Sequence, residues 1–412
     1  MLIKQKEMTI FLIWCYSCHK NNLHKIRRQI IMVFNELILK VTSCCNLNCD
    51  YCYVFNQGDY SYKYEPKVMP FSLITTVISR IKEHCEAHKV DMFLIIFHGG
   101  EPLMAPKQFY RDFIAQAKEK ITSTEILYGI QTNATLLTQE WIDLFDELDI
   151  AIGISLDGTR ESSKHRVYRS TGQYAYDNII KGVELLKSNA LPVNVLCVIN
   201  TSVSPLAIYS NFKEIGVDNV DFLYPDVTVD TGSDSHTGAW LSKMFDLWYE
   251  DNDTQKPMIR YFDTVVSLLL GIERGYEMLG RKTNKTISLK PNGNIELVDN
   301  LKICGDGFTH TGKNIEDNTF DDIAQNSIMQ KYYYSHSDKT LCEKCKNCCV
   351  KDICGGGNIA HRYSKVNGFD NPSAYCKHIL HFVAHVQDRL FEDLPKVFNT
   401  NNVVRIKEMI DE

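Results

Sequence analysis

The sequence predicts an α/β protein, a partial (β/α)6 TIM-like barrel followed by a cysteine-rich C-terminal module. Three observations predict it. Strand-like and helix-like segments alternate six times between residues 34 and 223, which specifies a parallel sheet with right-handed crossovers. Each chemistry-bearing motif in that half follows a predicted strand, where barrel folds carry their reactive groups. The 15 cysteines fall mostly in two clusters, at 44–52 and 342–354.

Residues 1–31 form an N-terminal extension expected to be poorly ordered. Its apolar run at 8–14 is short for a membrane span, and no cleavage site follows. Cys15-Tyr16-Ser17-Cys18-His19 formally matches the string that attaches c-type haem, but haem attachment needs export. Met32 is a candidate initiator.

The first strand, 34–41, delivers its C-terminal end to a cysteine loop. Ser72 is the expected N-cap of a helix in which Leu73, Ile74, Val77, Ile78, Ile81 and Cys85 share one face. The run at 92–97 is continuously apolar, as in buried parallel strands. A helix on Phe109, Phe113 and Ala117 follows, then strand 126–131, helix 140–148, strand 150–156 and helix 177–187. Strand 193–199, helix 206–215 and strand 219–223 complete a core over 32–235. Residues 236–300 read as a linker, helical over 236–280, with a hairpin at 287–298 turning on Pro291-Asn292-Gly293-Asn294. Residues 301–392 carry the second cysteine cluster and end in an amphipathic helix on Ile379, Val383, Val386 and Leu390. Residues 393–412 form a tail.

At 412 residues and 44% hydrophobic composition the chain can bury a sizeable core. A net charge of -6 with no long basic run argues against a nucleic-acid partner, and no apolar stretch argues for a membrane. Cysteines clustered at ligand spacing indicate metal rather than disulfides, hence a reducing, cytoplasmic compartment.

The central stretch is Cys45-Asn46-Leu47-Asn48-Cys49-Asp50-Tyr51-Cys52. Three thiolates on one tight loop can hold three corners of a [4Fe-4S] cluster, which normally takes four. The open iron suits a chelating ligand such as the amino and carboxylate groups of S-adenosylmethionine (SAM), although zinc uses similar spacings. After the second strand comes His98-Gly99-Gly100-Glu101-Pro102, whose glycines permit close backbone approach to a ligand. Gln131-Thr132-Asn133-Ala134-Thr135 and Ser155-Leu156-Asp157-Gly158 follow the next two strands. His165-Arg166-Val167-Tyr168-Arg169 offers a guanidinium that can hold a carboxylate bidentately.

These motifs together resemble the radical SAM superfamily. The resemblance implies that Cys45, Cys49 and Cys52 hold the SAM-binding cluster, and that Gly99, Gly100, Glu101 and Pro102 receive the methionyl amino group. It implies that Asn133 and Ser155 line the SAM and substrate cavity, and that Arg166, or failing it Arg169, binds the SAM carboxylate.

The second cluster resembles part of the SPASM module, which carries auxiliary clusters in peptide-modifying members. That pattern expects cysteines where this chain has Val298 and Asn358. The resemblance therefore implies one auxiliary [4Fe-4S] cluster, on Cys345, Cys348, Cys354 and Cys376, with Cys342 and Cys349 spare and either able to replace one of the four; zinc stays open here too. Asp299 lies beside a position where sulfatase-maturating relatives carry a proton-accepting carboxylate, and is either a general base or an exposed hairpin aspartate.

Stretches 53–62, 221–226, 298–302, 354–363 and 368–376 are similar to maturases that install three-residue cyclophane crosslinks in ribosomal peptides. That implies a precursor peptide as substrate and a flavodoxin- or ferredoxin-like electron donor. An anaerobic sulfatase maturase making formylglycine is the alternative, and a non-catalytic metal-binding protein is the alternative of another class.

Overall fold

A computed structural model describes residues 33–333, 338–393 and 405–410. The expectations for residues 1–31, including the string at 15–19, and for most of the tail lie outside these residues. In chain order the elements are β1 (Glu36–Thr42), α1 (Ser72–His88), β2 (Met92–Gly99), α2 (Lys107–Lys120), β3 (Glu125–Thr132), α3 (Gln139–Leu148), β4 (Ile150–Ser155) and α4 (Tyr176–Ser188). Next come β5 (Asn194–Val198), α5 (Pro205–Ile215), β6 (Asn219–Leu223), α6 (Thr237–Glu250), β7 (Met258–Ile259) and α7 (Arg260–Leu269). The rest are β8 (Thr286–Leu289), β9 (Asn294–Glu296), β10 (His310–Asn314), α8 (Phe320–Ile323), α9 (Glu343–Lys346), α10 (Lys351–Cys354), α11 (Cys376–Asp393) and α12 (Ile406–Ile410). The six predicted strand–helix alternations are present in the predicted order.

The described chain divides into two compact units. The first comprises 33–156, 163–195 and 285–333. Its strands follow the order β10-β9-β8-β1-β2-β3-β4. β1 pairs in parallel with both β2 and β8, and β2, β3 and β4 continue in parallel. β9 is antiparallel to β8 and to β10. The hairpin expected at 287–298 is therefore present, and it lies beside β1 in the main sheet.

Side-chain alternation explains the packing of this unit. Phe93, Ile95 and Phe97 of β2 are fully buried, and Phe97 meets Tyr110 and Phe113 of α2 edge-on at 5.0 and 5.5 Å, the geometry that aromatic quadrupoles favour. In α1 the six residues expected on one face are all buried, together with His84. Ser72 is the first helical residue rather than the cap, since Phe71 holds the N-cap position in αR geometry and no side chain caps the helix.

The second unit comprises 157–162, 196–284 and, among described residues, 338–393 and 405–410. β7 runs parallel to β6. Phe222 of β6 packs on Trp240 of α6 and Phe262 of α7, and Phe382 of α11 closes over Phe245 and Phe262. The helical stretch expected over 236–280 is shorter. It breaks between α6 and α7 and stops at Leu269, after which Gly271, Gly275 and Gly280 take positive φ that β-carbon-bearing residues avoid.

Candidate functional site

In the first unit the motifs gather at the C-terminal ends of β1 to β4. The cysteine loop leaves β1 and is clamped from several directions. Ser43 N–H and Thr42 Oγ1 donate to Lys67 O, at 3.2 and 2.6 Å. From the other side Gly100 N–H donates to Thr42 O (2.9 Å) and Glu101 N–H to Cys44 O (2.8 Å). Modelling a β-carbon on Gly100 puts it 2.1 Å from Cys44 O, and on Gly99, at φ +131, 2.2 Å from Thr42 O. The close approach these glycines permit is thus to the cysteine loop's own backbone.

Glu101 works inside the protein. Its carboxylate accepts from Leu103 N–H (3.0 Å), Thr132 Oγ1 (2.6 Å) and Asn133 N–H (2.8 Å), and burial pushes its pKa up to about 7 against those bonds. It ties the loop after β2 to the end of β3. Asn133 then turns its amide to the cysteine loop, donating to Asn46 Oδ1 at 2.9 Å and standing 3.8 Å from Cys45 Sγ. Pro102 opens a short 3-10 turn, and its carbonyl accepts from Tyr110 OH at 2.6 Å. Ser155 ends β4 and accepts from Gln131 Nε2 at 2.9 Å.

The stretch 165–169 straps across the loop. Asn48 N–H donates to Val167 O and Arg169 N–H to Asn46 O, both at 2.8 Å. His165 Nδ1 meets Asp50 at 2.6 Å. Arg166 is buried, with its guanidinium 5.5 Å from the centroid of Tyr51, inside the cysteine motif. Arg169 stacks over Phe55 at 5.0 Å. Both candidate cations therefore lie against the loop, and Arg166 is the one held between its second and third cysteines.

Beneath the loop lies a buried charge network that the sequence analysis missed. Lys40, within β1, pairs with Asp299 and, at 3.4 Å, with Glu296. Lys290 meets Glu65 at 2.5 Å and Glu296 at 3.0 Å. Lys302 meets Asp59, and Glu296 at 3.3 Å. Burial alone would raise the pKa of Glu296, but the three lysines hold it down to about 2. A small cavity lined by Lys40, Thr42, Glu65 and Gly99 opens beside the network. Asp299 is not an exposed hairpin residue: it starts a 3-10 turn, its side chain is 11% exposed, and it is committed to Lys40. The available signal was Lys40 itself, a charge interrupting an apolar strand.

In the second unit, Cys345, Cys348, Cys354 and Cys376 come together with Cys342. Burial, followed by a hydrogen bond and the charge of neighbouring Cys342, pushes Cys345 up to about 12. Cys354, within range of Cys376 and Cys348, also reaches about 12, with burial again leading. Cys349 is exposed. Asn358 Oδ1 accepts from Ala360 N–H at 3.0 Å, so that side chain serves its own turn.

None of these cysteines is in a disulfide. Burial first, then the charges of Glu101, Cys49 and Cys52, push Cys45 up to about 12, so its thiolate form needs a metal beside it. Tetrahedral zinc holds sulfurs about 3.8 Å apart. The gathered thiols supply the soft donor set that either zinc or an iron–sulfur cluster takes.

Residues 39–207 match the family model of the radical SAM superfamily. The chain is 27% identical over 360 residues to the cysteine-type anaerobic sulfatase-maturating enzyme of Clostridium novyi, covering 83% of this chain and 92% of the relative. It is 26% identical over 381 residues to the serine-type enzyme of Bacteroides thetaiotaomicron, covering 85% and 88%. In fold it is similar to anSMEcpe with bound AdoMet and the Cp18Cys peptide, at a TM-score of 0.74 and 23% identity over 88% of this chain and 99% of that one. Streptococcus suis SuiB bound to its precursor peptide SuiA gives a TM-score of 0.54 at 13% identity, over 91% and 88%.

Proposed function

We propose, from the match of residues 39–207 to the radical SAM superfamily, that this chain is a radical SAM enzyme that matures a ribosomally made peptide by closing a carbon–carbon crosslink between side chains. Cys45, Cys49 and Cys52 would hold the SAM-binding cluster, and Cys345, Cys348, Cys354 and Cys376 an auxiliary one, with 32–235 as the radical core and 301–392 as the auxiliary module. When bound, these groups would supply one-electron reduction of SAM, abstraction of one side-chain hydrogen atom and a sink for the electron left after ring closure, with the accompanying proton passing to solvent.

The chain's own part is positional. Arg166 offers its guanidinium to the SAM carboxylate. The backbone at 99–102 receives the amino group, and Asn133 fixes the loop beside Cys45. A flavodoxin- or ferredoxin-like donor and a cytoplasmic location belong to the same reading. No described helix is long and apolar enough to cross a membrane.

The observation that carries the crosslinking reading is the reduced ligand set: Val298 is buried and apolar, and Asn358 caps a turn, so the chain provides for one auxiliary cluster. Formylglycine formation is the second reading, favoured by the near-full-length similarity to sulfatase-maturating enzymes. Anaerobic, dithionite-reduced protein should release 5'-deoxyadenosine from SAM, and Cys49→Ala should not. Synthetic sulfatase peptides presenting Cys or Ser should come back unchanged. An aldehyde on either peptide would replace the crosslinking reading with the second.

A further inference from the structure

At the start of β1, the opposite end of that strand from the cysteine loop, three side chains from two elements converge. His84 and His88 stand one turn apart on α1 and share a face, and Asp321 lies in the first turn of α8. His84 Nδ1 is 2.8 Å from Asp321 Oδ1, and His88 Nε2 is 2.9 and 3.0 Å from the two carboxylate oxygens. The three ligand atoms lie within 4.8 Å of one another, and no other His, Cys, Asp or Glu trio among the described residues is drawn together in this way. We propose that His84 Nδ1, His88 Nε2 and an Asp321 oxygen bind one divalent transition-metal ion, zinc by donor type, with water as the fourth ligand.

A hydrogen-bonded trio without metal is the competing account, and the surroundings of His84 supply the outer-shell acceptor that a ligand needs. Its Nε2 lies 3.0 Å from Phe34 N and 3.2 Å from Phe34 O. With no metal, Phe34 N–H donates to Nε2 while Nδ1–H faces Asp321. With metal on Nδ1, the ring takes the other tautomer and Nε2–H donates to the Phe34 carbonyl, the outer-shell contact that metal-bound imidazoles make. The Phe34 carbonyl then satisfies Nε2–H, while Phe34 N–H gives up its bond to the ring, a cost the metal–nitrogen bond has to offset.

Access and geometry also fit. The His84 side chain is 2% exposed, but His88 and Asp321 are 12% and 45% exposed, leaving a solvent side for metal entry and for the water. Metal–ligand bonds of about 2.0–2.1 Å place tetrahedral donors about 3.3 Å apart. The nitrogen–oxygen separations of 2.8 to 3.0 Å need to open by a few tenths of an ångström, and the two ring nitrogens lie within 4.8 Å of one another. The ion would staple α8 to α1 and to the start of β1. None of this depends on which peptide the enzyme modifies.

The test uses full-length protein with its iron–sulfur clusters filled anaerobically, stripped with a mild chelator and titrated with zinc, then separately with cobalt(II). One zinc per chain beyond the iron sites is expected, with a Tm rise of a few degrees. Cobalt should give visible d–d bands without thiolate charge transfer. Asp321→Asn and His88→Gln, both at the open side, should weaken zinc at least about tenfold while releasing 5'-deoxyadenosine at the wild-type rate. Three results would overturn the proposal: no uptake at about 100 µM zinc, equal uptake by wild type and both variants, or a cobalt spectrum dominated by sulfur charge transfer.

Discussion

Asp299 is close to the proposed chemistry by sequence position, yet its environment commits it elsewhere. Lys40 holds it, and Ser288 and Tyr53 hydroxyls approach at 3.4 and 3.5 Å. Asp299→Asn is therefore predicted to lower peptide turnover by less than about tenfold at saturating SAM, whereas removing a working general base costs about 10²–10⁴-fold. Glu296 makes a different prediction. Its carboxyl sits at about 2 in the folded protein against an ordinary 4.5. A depressed folded pKa gives stability that is present above pH 4.5 and lost as pH falls towards 2, on the order of 3 kcal/mol. Glu296→Gln should flatten that acid limb and destabilise the protein at neutral pH by leaving three buried lysines short of a partner. Urea midpoints from about pH 3 to about pH 7 report both effects. That the cysteine loop and Gly99-Gly100 sit at strand ends was legible because spacing and backbone permissiveness are local properties, whereas the packing of those glycines on the loop's own backbone was not. The network was not, because Glu296 stands 256 residues from Lys40 and neither residue type alone announces burial.

The loop-bearing elements act as a fitted pair: the turn after β2 lies against the base of the loop after β1 with no room for a side chain. Gly100→Ala brings a methyl to within 2.1 Å of Cys44 O, so the cysteine loop must shift, at a cost of about 1–3 kcal/mol. Iron bound per chain and SAM cleavage should fall together, read by iron assay and by 5'-deoxyadenosine release. If activity falls while iron stays, the glycine serves the SAM ligand directly. At this scale the sequence was a good guide where periodicity sets the structure. The buried face of α1 is the predicted one, and β6 spans 219–223 as expected. It was a poor guide where pairing is long-range: Glu36 of β1 lies opposite Thr286 of β8, a partnership no local pattern encodes. The helix ends were missed for a related reason. Positive-φ glycines at 271, 275 and 280 stop helical structure that apolar spacing alone would have extended.

Across the whole molecule, two sets of cysteines lie in two compact units, one carrying Cys45, Cys49 and Cys52 and one holding five gathered thiols. Two [4Fe-4S] clusters require about eight irons per chain. Replacing Cys345, Cys348, Cys354 and Cys376 with alanine should leave about four, preserve SAM cleavage and abolish the finished peptide. The measurement that tests the central claim most directly is tandem mass spectrometry of a short peptide encoded beside this gene, co-expressed with the intact enzyme and with the Cys45→Ala, Cys49→Ala, Cys52→Ala variant. A loss of two hydrogens that requires the intact loop, with backbone fragmentation blocked between an aromatic residue and a near neighbour, is the predicted result. An unchanged peptide, or one carrying an aldehyde and fragmenting freely, would contradict the account.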